Sequence, residues 1–158
     1  MKSAILAVLF AAAVVYGQEK PTAESIDATS FIELLRSDIK AKKTEFISQG
    51  LNLPEEYSAK FWPVYRKYQF ELDALNDESL QLLRDYAANY ENLTSQKSTE
   101  LTKKSFEVQE KKLKLRRTYF DEFNKILPPK MAAKYAQLDN RINLLLDLQL
   151  ASKIPLVK

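Results

Sequence analysis

The apolar run from Tyr57 to Tyr90 constrains the fold more than any other stretch of this chain. With Tyr57 at zero, Phe61, Val64, Tyr65, Tyr68, Leu72, Leu75, Leu82, Leu83, Tyr86 and Tyr90 fall within an arc of about 100° on a helix. Pro54 stands at a first-turn position, where proline loses nothing, and Glu55 and Glu56 complement the positive end of the helix dipole. A helix from Pro54 to Glu91 would be about 57 Å long at ~1.5 Å per residue. Pro63 is expected to bend it by removing one backbone donor and crowding the preceding turn. Asn76-Asp77-Glu78 is a second place for a break. One bent helix is favoured over two short ones. The opening of this stretch is echoed later: Leu53-Pro54 recurs as Leu127-Pro128, Ala59-Lys60 as Ala133-Lys134, and Phe61 as Tyr135.

Composition points the same way. Of two glycines among 158 residues, Gly17 directly follows an N-terminal apolar run and reads as part of the same leader, which leaves Gly50 for everything after it. Sheet turns and phosphate-cradling loops draw on glycine for positive φ, so long helices are the fold this composition suits. With no cysteine there are neither disulfides nor thiolates. With no histidine, serine–histidine and cysteine–histidine nucleophiles and the usual zinc, copper and nickel ligand sets are excluded. The acids are scattered, many near a lysine or arginine one turn away, and Asn76-Asp77-Glu78 lacks the spacing and glycine of a calcium loop. No P-loop occurs. The expectation is a protein that is not an enzyme and carries no cofactor or metal. A formal net charge of +3 gives no general electrostatic case for nucleic acid.

Lys2 and the uncharged run Ala4 to Tyr16 read as a secretory signal cleaved near Gly17, since about 13 apolar residues fall short of the roughly 20 a membrane span needs. Residues 18–30 form a polar lead-in, followed by a single helical domain over 31–158. Ser30 and Glu33 make a capping-box pattern, and Phe31, Leu35, Ile39 and Phe46 share one side of a first helix that Gly50 should stop. Thr94 or Ser95 should cap a third helix over about Gln96 to Ile126. It has two seams: Leu101, Val108, Leu115, Tyr119, Phe123 and Ile126 on one, Phe106, Leu113 and Phe120 on the other, implying two neighbouring helices. A fourth helix, about Pro129 to Ala151, should bury Met131, Tyr135, Leu138, Ile142, Leu145 and Leu146. Beyond it, Ile154-Pro155-Leu156-Val157 is apolar, cannot stay helical through Pro155, and is expected to dock. The fold expected is all-α: four elongated helices built on a long helical hairpin.

Two sets of residues stand out as surfaces. Trp62, Phe70, Leu144 and Leu148 miss the stripes of their own helices and are candidates for a client or dimer contact. Lys111, Lys112, Lys114, Arg116 and Arg117 form a basic run that could meet anionic headgroups or an acidic client. The blander alternative is a solvated face with Leu113 and Leu115 turned to the core.

The blocks LNLPEEYSAKFWPVYRKYQFELDALND (Leu51 to Asp77) and ILPPKMAAKYAQLDNRINLLLDLQLASKIPLV (Ile126 to Val157), together with the N-terminal signal, resemble the small periplasmic proteins of the Spy/CpxP, or LTXXQ-motif, family. Leu53-Pro54-Glu55-Glu56 stands where that family opens a helix with Leu-Thr-Pro-Glu-Gln. The motif's threonine and glutamine are missing from both copies, which sets this FWPVY-containing sequence apart as a divergent branch. The resemblance implies an antiparallel, cradle-like homodimer in the periplasm. It also implies one of three roles: an ATP-independent chaperone, a restraint on an envelope-stress sensor kinase, or a metal-stress sensor. The absence of histidine disfavours the last. The expected function is a binding protein that holds unfolded or envelope proteins on a curved helical surface, drawn in by salt-sensitive attraction. A dedicated partner of a sensor kinase's periplasmic domain, or a helical carrier of a lipid or other apolar ligand, are the alternatives.

Overall fold

A computed structural model describes residues 42–152 and 154–157. The signal, the lead-in, the Ser30 capping box and Phe31, Leu35 and Ile39 lie outside the described residues. Within them the chain is all-α and holds no strand. Helix α1 occupies residues 42–51, α2 runs Glu55–Asn89 and continues into a 3-10 turn at Tyr90–Asn92, α3 runs Ser95–Ile126 and α4 runs Pro129–Ala151.

Each boundary has a local cause. The two Leu-Pro openings share one geometry: the Pro54 carbonyl accepts from the amides of Tyr57 and Ser58, and the Pro128 carbonyl from those of Met131 and Ala132. Both prolines are half-in residues with extended backbone, which suits a ring that has no N–H to give. Thr94 caps α3, its hydroxyl accepting from the Lys97 amide at 3.2 Å. Helix α2 passes unbroken through both Pro63 and Asn76. Pro63 and Ala59, whose carbonyl loses its usual donor, are both exposed, so that carbonyl faces solvent rather than the core.

Gly50 does not stop α1. The residue in left-handed backbone is Asn52, with φ 45°, and its amide donates to the Ser48 carbonyl at 2.9 Å, a single-bond αL cap. Asparagine tolerates that conformation, so no glycine is needed there. Gly50 serves packing instead. A Cβ on it would stand 2.7 Å from Cδ1 of Leu138, so the missing side chain lets α1 close against α4.

Helices α2 and α3 form an antiparallel hairpin, with cross-links at Tyr119–Glu71, then at the neighbouring pairs Lys111–Glu78 and Lys112–Ser79, then at Lys97–Asp85, three levels that advance along α2 as they retreat along α3. Helix α4 returns beside them and α1 closes the same end. That end holds the main core: Ile47, Leu51, Phe61, Tyr65, Tyr68, Leu72, Tyr119, Phe123, Leu127, Ala132, Tyr135 and Leu138. Its centre is aromatic. Phe61 packs on Phe123 with centroids 5.0 Å apart and edge-on to Tyr135 at 5.4 Å, and Phe123 meets Tyr135 at 4.4 Å. Phe61 and Tyr135, the equivalent positions of the two echoed openings, thus touch one another.

Some stripe assignments are corrected. In α1 the inward line is Lys43, Ile47 and Leu51, and Phe46 is exposed, because the residues at i, i+4 and i+8 face α2 and α4. On α3 the first seam is covered, but Phe106 and Leu113 of the second stay exposed and only Phe120 joins the core. Leu145 is 64% exposed, because the inward line of α4 follows Leu138, Asp139 and Ile142 instead. The tail does dock. Tyr86 donates its hydroxyl to the Pro155 carbonyl at 2.9 Å and Tyr90 to that of Leu156 at 3.3 Å.

Two outcomes follow for stability. Gly50→Leu should destabilise by about 1–3 kcal/mol through overpacking against Leu138, whereas Asn52→Gly should be neutral or slightly stabilising; urea denaturation reads both. Burial pushes the hydroxyl pKa of Tyr65, Tyr68 and Tyr135 well above the ordinary value, and the charge of Asp139 adds to it. The unfolded chain loses these protons above about pH 10 while the folded chain keeps them. Stability is therefore complete below that pH and falls as pH rises past it, which thermal melts from pH 8 to 11 should show.

Candidate binding surfaces and the charged node beneath them

Asp139 is 3% exposed, yet it sits on the apolar stripe of α4, one turn after Tyr135. Lys43 sits the same way on α1, four residues before Ile47, and is 6% exposed. The lysine ammonium lies 2.9 Å from Oδ1 of Asp139 as an ion pair and also stands over the Tyr68 ring. Oδ2 takes the rest: the Tyr68 hydroxyl at 3.3 Å, the Asn143 amide at 3.0 Å and Arg116 Nε at 3.3 Å. One carboxylate thus joins all four helices. Sequence reading passed over it, although an acid and a lysine inside apolar stripes were the available signal.

The basic run divides by helix face. Lys111 pairs with Glu78 at 2.6 Å and Lys112 donates to the Ser79 hydroxyl at 2.7 Å, both knitting α3 to α2. Arg116 is spent on Asp139 and on the side-chain Oδ1 of Asn140. Lys114 and Arg117 are exposed and meet no acid within ion-pair distance among the described residues. Leu115 packs on the core as the blander alternative expected, but Leu113 does not.

The apolar set also divides. Trp62 is half-buried, edge-on to Phe61 and Tyr65, and its indole N–H donates to the Ser58 hydroxyl at 3.0 Å. It belongs to the edge of the core. Phe70 is 78% exposed and stands alone on the outer side of α2. Leu144 and Leu148, at 59% and 68%, are joined by Leu145 as neighbours one turn apart on α4. These three make a continuous leucine face.

Between α3 and α4 runs an open cleft of about 380 Å³, floored by Tyr68, Tyr119 and Tyr135 and walled by Leu113, Arg117 and Phe120. No group of three or more potential metal-binding side chains occurs among the described residues, and no described helix is long and apolar enough to cross a membrane. The chain matches no known family model, no curated protein and no solved structure.

Removing one side of the buried node should be costly. Asp139→Leu strands Lys43 in the interior and should lower stability by about 3–5 kcal/mol, while the double change Lys43→Met with Asp139→Leu should recover most of the loss. Denaturant titration of the three proteins measures it.

Proposed function

We propose that this is a binding protein that holds exposed apolar segments of other proteins on the leucine face of α4, without nucleotide. The observation that carries the reading is the adjacency of Leu144, Leu145 and Leu148, each more than half exposed on a helix whose other side is fixed to the core. Single exposed apolar residues need no explanation, but a contiguous group on a rigid element is how interaction surfaces are marked. A leucine face offers non-directional contact, which fits partly unfolded clients of varied sequence better than one structured epitope. The export signal read from the sequence and the resemblance to the Spy/CpxP family agree with such a role in the periplasm.

The structure bears on how capture would work. Because Lys111, Lys112 and Arg116 are engaged by neighbouring helices, the basic run itself leaves only Lys114 and Arg117 to attract a client at long range. Apolar contact therefore carries most of the binding, and added salt, which screens charges over about 8 Å at physiological strength, should matter little.

Residues 18–158, added near equimolar to a chemically unfolded client without ATP, should suppress the light scattering of aggregation. Leu144→Ser with Leu148→Ser should weaken suppression about tenfold, equivalent to about 1.4 kcal/mol, while Phe70→Ser changes it little. Failure across several clients, with one stoichiometric partner recovered in a pull-down, would instead favour a dedicated partner such as a sensor domain.

A further inference from the structure

We propose that Tyr86 and Tyr90 form a seat for an extended peptide segment of another protein, and that the chain's own C-terminal tail occupies it as a displaceable stand-in. The ligand class rests on the binding-protein reading above, but the surface is a different one. Tyr86 lies in the last turn of α2 and Tyr90 in the 3-10 turn that follows. Four residues apart, they share one face, and their rings stand 5.6 Å apart at 70°. Both hydroxyls reach the same segment of chain. Tyr86 donates to the Pro155 carbonyl at 2.9 Å and Tyr90 to the next one, that of Leu156, at 3.3 Å. Chain ends are usually loose unless something ties them down, and here a pair of tyrosines does so.

The contacts set the class of ligand. The tyrosines meet consecutive main-chain carbonyls, which every peptide offers, and not side chains. In peptide recognition main-chain hydrogen bonds supply affinity and side-chain pockets supply specificity. Leu156 and Val157 are 89% and 58% exposed, so no pocket reads them, while Ile154 and Pro155 are half-buried. Such a seat suits an extended segment of varied sequence. The tail can also leave it. Hydrogen bonds between neutral groups contribute modestly once exchange with water is counted. Helix α4 ends on the Ser152 and Ile154 amides, which donate to the Leu148 and Leu150 carbonyls, so the chain beyond Ile154 can lift without unwinding it. The main core includes neither tyrosine and no part of the tail. Burial and the neighbouring Tyr90 raise the Tyr86 hydroxyl pKa, which keeps it a donor at neutral pH.

Fluorescence anisotropy of a labelled SKIPLVK peptide, the sequence of residues 152–158, titrated with residues 18–158 tests the seat. A tail seated about nine-tenths of the time weakens a competing peptide about tenfold. Ile154→Ser with Pro155→Gly removes the tail's apolar contact and its preset extended φ. That variant should bind the peptide about fivefold or more tightly than the parent. Adding Tyr86→Phe and Tyr90→Phe to it should return binding to the parent's level or below. All variants should keep the helical circular-dichroism spectrum, since the changes lie outside the core. A peptide with serine at the two exposed positions, SKIPSSK, should bind within about twofold of SKIPLVK. Leu144→Ser with Leu148→Ser should leave peptide affinity unchanged. No binding to the loosened-tail variant, equal binding to it and the parent, or binding indifferent to the tyrosine changes would each overturn the proposal. So would loss of SKIPSSK binding, or loss in the Leu144/Leu148 variant, which would place the peptide on the leucine face. Peptide binding as expected, with no suppression of client aggregation, would overturn only the leucine-face reading.

Discussion

Everything in this fold is registered against the carboxylate of Asp139. Apolar stripes hold helices together without saying where along one another they should stop, since leucine or tyrosine packs nearly as well one turn away. A buried acid does not share that tolerance. Sliding α1 by a turn would carry Lys43 away from Asp139, leaving the ammonium unpaired in the core and the carboxylate with Arg116 as its one remaining counter-ion. The loss would be several kcal/mol, a large part of the stability of a typical domain. The Tyr68 hydroxyl and Arg116 apply the same constraint to α2 and α3. The node gives uniqueness of register more than net stability, because replacing both ions by apolar groups is often neutral.

The rest of the core is distributed unevenly around that node. Near the α3–α4 turn, four helices enclose a cluster of rings, and Phe61, Phe123 and Ile47 are fully buried. Toward the other end of the hairpin the layers thin. Among the described residues only Leu80, Leu101 and Val108 are buried there, and Tyr86 and Tyr90 are spent on hydrogen-bonding the tail. The leucine face of α4 lies over this thinner half. A helix clamped at its N-terminal end by Tyr135, Leu138 and Asp139 can present apolar side chains further along without collapsing them into a core that is not deep enough to take them.

Much of the fold was legible in the sequence because helical periodicity and proline positions are local signals. The buried line Phe61, Tyr65, Tyr68 and Leu72, the bounds of α4 and the continuity of α2 were read correctly, while Leu80, buried off that stripe, was missed. The echo of Leu53-Pro54 in Leu127-Pro128 proved to be a shared helix-opening geometry, each proline carbonyl accepting from the amides three and four residues on. What could not be read depends on which neighbour each face meets. Gly50 looked like a helix stop because glycine usually is one, but its function is to admit Leu138. Leu145 and Leu113 have core chemistry and lie on seams, yet no described helix covers them. The Asp139 node escaped because each of its members is unremarkable alone. Its meaning appears only when residues 43, 68, 116 and 139 meet, and no one-dimensional pattern encodes that.

The basic run shows the same point in electrostatic terms and bears on function. Seven residues containing five cations look like one positive patch, but a helix turns about 100° per residue and deals them to different sides. Lys111 and Lys112 meet α2, Arg116 meets α4, and Lys114 and Arg117 are left facing outward. A patch that attracts partners at a distance needs like charges on one surface, whereas these are spread over several faces and two of the five are paired with acids. Arg117 keeps its charge at the rim of the cleft between α3 and α4, where Asp121 stands one turn along the same helix. The run therefore reads as structural wiring that leaves Lys114 and Arg117 outward, each acting through its own surroundings rather than as part of one patch.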